Sequence, residues 1–163
     1  MKIRSVCSSD AAAIAAIYNH YVQETVVSFE TEPLSVAQMR ARIKRIVAGY
    51  PYLVCEDAGG QVLGYACAHA WKERAAYCHT WEVSIYLHPE HCGQGLGAML
   101  MAPLVQQCRE AGAVVLIACI TQENTRSIDF HRRLGFEQVS HFPRVGCKFG
   151  RMLDVVDLCL PLQ

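Results

Sequence analysis

The stretch His88-Pro89-Glu90-His91-Cys92-Gly93-Gln94-Gly95-Leu96-Gly97 sets three glycines at alternate positions, just after a strand-like run and just before a helical pattern. Glycine lets the main chain turn tightly and bring several N–H groups to one point, and a helix starting there adds the positive end of its dipole. Such a loop suits a ligand with a diphosphate, with the N–H groups of Gly93, Gln94, Gly95, Leu96, Gly97 and Ala98 as donors. Glu82, between Trp81 and Val83 in the preceding run, is either a partly desolvated carboxylate able to take a proton or an ordinary charge on a solvent face. Arg74, beside Tyr77, carries a planar guanidinium that matches a carboxylate by two parallel hydrogen bonds. Cys78-His79 with His88, His91 and Cys92 is the only cluster with any metal-ligand character; without a Cys-x-x-Cys pair, no metal is expected.

These groups need a frame. Residues 3–6 alternate like a short strand, and Ser8-Ser9-Asp10 offers N-cap oxygens to a helix over 11–22, on which Ile14, Ile17, Tyr18 and Tyr21 share a face. Ser35-Val36-Ala37-Gln38 has capping-box spacing and opens a second helix that ends near Gly49. Residues 52–55 and 61–71 form a β-hairpin around Asp57-Ala58-Gly59-Gly60, and 81–87 is the next strand. Leu96, Leu100, Leu104, Cys108 and Ala111 mark the buried stripe of the helix after the glycine loop, which Gly112 ends. A continuous apolar strand over 114–120, a short helix over 127–134 and two strands around residues 144–150 complete an α/β (α+β) order β-α-α-β-β-β-α-β-α-β-β. Strand, loop, helix and strand in succession imply a crossover and a parallel pair within a mixed, twisted sheet flanked by helices.

At 163 residues, with no Pro/Gly/Ser-rich linker, one domain over 1–163 is expected. Fifteen basic and fifteen acidic residues cancel, so no global field draws the chain to nucleic acid or an anionic membrane. Neither a signal-like apolar leader nor a membrane-spanning run occurs, and a cytoplasmic protein is expected. Of nine cysteines, Cys55, Cys67, Cys108, Cys119 and Cys159 sit in apolar runs, as buried free thiols would.

The element order, with Cys-Gly-Gln-Gly-Leu-Gly after the fourth strand and Asn124 through Leu134-Gly135-Phe136 near the last helix, resembles the GCN5-related N-acetyltransferases. Tyr18-Asn19-His20-Tyr21-Val22, Phe29-Glu30-Thr31-Glu32-Pro33, Arg74-Ala75-Ala76-Tyr77, Glu82-Val83-Ser84-Ile85-Tyr86-Leu87, His131-Arg132-Arg133-Leu134-Gly135-Phe136 and Gly146-Cys147-Lys148-Phe149-Gly150-Arg151 are similar to the phosphinothricin and methionine sulfoximine acetyltransferase branch.

The resemblance implies an acetyl-CoA-dependent enzyme that acetylates the α-amine of a small amino acid, commonly as a homodimer. It implies Glu82 as general base and His131 as a candidate to protonate the departing thiolate, a packed neutral histidine being the alternative. It implies Ile85, Tyr86, Leu87 and residues 93–98 as the cofactor path. Asn124 is open between a cofactor contact and a helix cap, and Arg133 between a CoA contact and a solvated charge. On the acceptor side it implies Phe29, Lys72, Glu73, Arg74, Tyr77, Val83 and Ser84. Phe29 is open between pocket wall and core, and Lys148 between the pocket and a partner subunit. Two departures stand out: Cys92 where the branch has Gln or Arg, and Met152 where many relatives have Trp. Two other functions remain open, an acetyltransferase for a polyamine, aminoglycoside or protein N-terminus, and a non-catalytic acyl-CoA sensor.

Overall fold

A computed structural model describes residues 1–163 as two compact units, each assembled from three chain segments. The first comprises Met1–Asn19, Leu34–His69 and Val83–Gly112, and the second His20–Pro33, Ala70–Glu82 and Ala113–Gln163.

In the first unit, β1 (Lys2–Ser5) pairs antiparallel with β2 (Tyr52–Glu56), and β2 with β3 (Val62–Ala70). Asp57 makes the β2–β3 turn, its Oδ1 accepting from Gly59 N at 2.8 Å and Gln61 N at 2.9 Å. α1 (Ala11–Glu24) starts here and continues into the second unit after Asn19. Its expected N-cap differs: Ser8–Asp10 form a 3-10 turn, and Asp10 accepts from Cys7 N and takes a bidentate grip from Arg4 at 2.8 and 2.9 Å. α2 (Val36–Val47) has the capping box its sequence announces, with Ser35 Oγ accepting from Gln38 N and Ser35 N donating to Gln38 Oε1. α3 (Leu96–Glu110) buries Leu96, Leu100, Leu104 and Cys108 completely, while Ala111, expected in the stripe, is exposed at the C-cap ahead of the left-handed Gly112.

β4 (Thr80–Leu87) belongs to both units, passing from the second to the first after Glu82. Its first residues pair parallel with β5 (Val115–Thr121), the parallel pair that the strand-loop-helix-strand order requires. β5 pairs antiparallel along its whole length with β8 (Arg151–Pro161), and α4 (Thr125–Arg133) lies between these strands in sequence. The tail holds three strands rather than two: β6 (Glu137–Gln138) and β7 (Phe142–Lys148) both pair with β8. Phe149 and Gly150, both at positive φ, close the β7–β8 hairpin with the two-residue turn that suits twisted strands. Cys119 on β5 is exposed and Cys159 half-buried, against the expectation of burial; Cys55, Cys67 and Cys108 are buried, and all nine thiols are free. No helix is long and apolar enough to cross a membrane.

Candidate active site

Past Leu87 the chain makes one 3-10 turn, Pro89–His91, and enters the glycine loop. Gly93 and Gly95 stand at φ 85° and 83°, the left-handed region that a side chain disfavours. Gly95 is the N-cap of α3 and caps it with no side chain, so the first-turn amides have no built-in acceptor. Outside regular helices and strands, no N–H of residues 93–98 donates to a main-chain carbonyl. Gln94 Nε2 donates to Glu90 O at 3.2 Å and braces the loop, while Cys92 Sγ lies 3.7 Å from His88 O, turned back on its own turn. A row of unspent amides at a helix start fits an anion. Leu96 and Gly97 are buried, so their contribution to a ligand comes from the main chain.

Along β4, Trp81 and Val83 are buried while Glu82 and Ser84, on the other face, are half-buried. The ladder with β5 runs Thr80–Val115, Trp81–Leu116, Glu82–Ile117 and stops. Ile85, Tyr86 and Leu87 therefore lie beyond it. Tyr86 is set in a ring of phenols, edge-on to Tyr18 at 5.0 Å and tilted against Tyr65 at 5.5 Å. Gly64 on β3 lets these strands approach closely: a Cβ there would stand 2.5 Å from Leu87 Cδ2 and 3.0 Å from Tyr86 O.

The second unit carries Phe29, Lys72, Glu73, Arg74 and Tyr77 of the residues assigned to an acceptor, while Val83 and Ser84 fall in the first. Trp71 and Tyr77 meet edge to face at 5.3 Å, and the Lys72 ammonium lies 4.1 Å from the Trp71 ring centre and 5.3 Å from that of Tyr77. Lys72 is thus held on aromatic faces, and Trp71 joins the group although the sequence reading passed over it. Arg74 and Glu73 are exposed; Arg74 opens the 3-10 turn Ala75–Tyr77, with Tyr77 N donating to Arg74 O at 2.9 Å, and its guanidinium makes no ion pair. Phe29 is 41% exposed, not core. Its ring covers Gly146 of β7 so closely that a Cβ at 146 would clash with it. Lys148, two residues on, is turned inward: Nζ donates to Ser28 O at 2.5 Å and Tyr21 O at 3.4 Å, and burial lowers its pKa.

On α4, Asn124 is the N-cap, its Oδ1 accepting from Ser127 N at 3.2 Å. Arg133 is exposed. His131 is 3% exposed and edge-on to Phe130 and Phe136. Its Nδ1 lies 2.8 Å from Ser127 O, an obligate acceptor, so the proton sits on Nδ1; burial lowers the ring's pKa and keeps it neutral. Nε2 is then a buried lone pair with no hydrogen-bond partner. This is the packed, neutral arrangement, with no proton standing ready at Nε2. No group of three or more His, Cys, Asp or Glu side chains is placed to hold a metal ion.

The acetyltransferase (GNAT) family model matches residues 14–136. The chain belongs to that family. It is 40% identical over 164 residues to the L-amino acid N-acyltransferase MnaT of Escherichia coli, covering 100% of this chain and 95% of that one. It is 40% identical over 162 residues to an L-methionine sulfoximine/L-methionine sulfone acetyltransferase of Pseudomonas paraeruginosa, covering 99% and 94%. A GNAT superfamily phosphinothricin acetyltransferase from Sinorhizobium meliloti, solved in complex with acetyl-CoA, superposes with a TM-score of 0.95 at 40% identity over 99% of this chain and 88% of that one.

Proposed function

We propose that this GNAT protein transfers the acetyl group of acetyl-CoA to the α-amine of a small amino acid of the phosphinothricin or methionine sulfoximine type. The observation that carries this function is the loop at 93–98, with two left-handed glycines and an uncapped helix start, built to receive a diphosphate. Relatives named for amino acids and their analogues set the acceptor class.

Acetyl-CoA brings a thioester already activated for acyl transfer. Glu82 takes a proton from the acceptor ammonium, directly or through water, and so exposes the nitrogen lone pair. A main-chain N–H of β4 beyond the ladder polarises the carbonyl as the N–C bond forms. The C–S bond breaks, and the proton on the thiolate comes from the amine by way of Glu82 or from solvent, since a neutral His131 holds none at Nε2. His131 instead packs as a neutral ring against Phe130 and Phe136. Arg74 grips the acceptor carboxylate. The enzyme works in the cytoplasm, where free thiols persist, and as a homodimer. The exposed apolar side chains Phe142, Val145, Phe149 and Met152 of the β7–β8 hairpin support the dimer.

The test is a panel of amines incubated with protein and acetyl-CoA, following thiol release and the mass of the product. Turnover on phosphinothricin, methionine sulfoximine or methionine sulfone is expected. Turnover only on a polyamine, aminoglycoside or protein N-terminus would move the acceptor class. Binding of acetyl-CoA with no turnover on any amine would make the protein a sensor.

A further inference from the structure

Lys148 is 3% exposed, and no carboxylate touches it. Its ammonium meets Ser28 O, Tyr21 O and the face of Phe149 at 5.1 Å. Burying an ammonium without a counter-charge is costly, so the cation must be compensated by what it holds. Tyr21 is in the last turn of α1, at the negative end of the helix dipole. Ser28 is buried in the connection that follows. One ammonium therefore gathers the end of the helix and the far side of the bend.

Two further contacts fix the same connection. Thr121 Oγ1 donates to Val26 O at 2.7 Å, and Thr25 Oγ1 donates to Tyr21 O at 2.8 Å. Phe29 comes next after Ser28, and its ring rests on Gly146, two residues before Lys148 on the same strand and the same side. The strand β7 thus supplies a bare spot for the ring and, one step along, the cation that holds the ring's own backbone. Gly146 and Lys148 both pair with β8 through their main chains, which leaves the Lys148 side chain free of that role.

We propose that Lys148 is a positioning residue that selects the acceptor: by holding the Tyr21 and Ser28 carbonyls it fixes Phe29 over Gly146 as a rigid wall of the acceptor site. The role rests on the acceptor function proposed above, with Phe29 as the pocket wall that the family resemblance implies.

The experiment compares wild type with Lys148→Met, Phe29→Ala and the double variant in steady-state kinetics with the best acceptor of the amine panel, each protein checked by thermal melting. Lys148→Met should raise the acceptor KM roughly tenfold, the size of a charge-assisted hydrogen bond, with kcat and the acetyl-CoA KM held within about twofold. In the Phe29→Ala background the same change should add less than about twofold, because Lys148 acts through the ring. An unchanged KM, a uniform fall in kcat, or a full additional loss in the Phe29→Ala background would overturn the proposal. If Lys148→Met does not fold, Lys148→Arg replaces it under the same criteria, since a bulkier cation displaces the connection while keeping the charge. If wild type acetylates no amine, the acceptor function fails by itself. Amide exchange then decides for Lys148: faster exchange at Val27 and Glu30 in the variant supports the clamp, and unchanged exchange removes it.

Discussion

Glu82 and Arg74 divide the proposed chemistry between a proton and a carboxylate, and their variants should fail in different ways. Glu82→Gln keeps the shape of the half-buried side chain but loses the base; kcat should fall by roughly two to four orders of magnitude while acetyl-CoA affinity, read by calorimetry, is unchanged. Equal turnover in the variant would remove Glu82 from the reaction. Arg74→Ala should raise the acceptor KM at nearly constant kcat, since its exposed guanidinium has no structural ion pair to lose. A changed acetyl-CoA KM would show that it serves the cofactor instead. Glu82 stands out in the sequence as a carboxylate inside an apolar strand, and Arg74 as the guanidinium in the Arg-Ala-Ala-Tyr stretch. Trp71 does not, and for Gly146 and Lys148 the sequence leaves open what they touch. A cation facing backbone carbonyls leaves no partner to find in the chain, and Phe29 and Gly146 meet across more than a hundred positions.

The glycine loop and the helix it opens are local features, and local chemistry wrote them into the sequence plainly: alternate glycines, then Leu96, Leu100 and Leu104 at helical spacing. The capping box at Ser35 and the Asp57 turn are the same kind of signal. The tail is different, because β6, β7 and β8 are defined by whom they pair with. Arg144, at φ 56° and hydrogen-bonded through its N–H to Asp154 Oδ1 at 2.8 Å, lies where the β7 register shifts between Phe142 and Gly146. Gly95→Ala tests the loop as a unit. Forcing a side chain into φ 83° should cost about 1 kcal/mol and lower the melting temperature by a few degrees. It should also weaken acetyl-CoA binding, because the amides of the α3 start move with the cap. Calorimetry showing wild-type affinity would detach the loop from the ligand.

Acid should unfold the protein through at least two groups. The Arg4 guanidinium holds Asp10 at about 2, well below the ordinary carboxylate, so the folded form releases that proton first. The resulting stabilisation, about 2 kcal/mol at neutral pH, is complete above about pH 4 and is lost as pH falls toward 2. Burial lowers the His131 pKa, so the unfolded chain binds that proton more readily and stability begins to decline below about pH 6.5. Urea melts of Asp10→Asn should therefore differ from wild type at pH 7 and converge near pH 2; a constant gap would mean that the Asp10 charge contributes nothing. Trp71 and Trp81 both report on the second unit, whereas far-UV dichroism reports on both. The two signals should lose structure at the same urea concentration. Each unit is stitched from three separate stretches, with α1 and β4 running through both, so any cut between residues 20 and 112 interrupts both. Because the two sets of stretches interleave, no single nick or truncation sorts the enzyme into a cofactor fragment and an acceptor fragment for separate study or exchange.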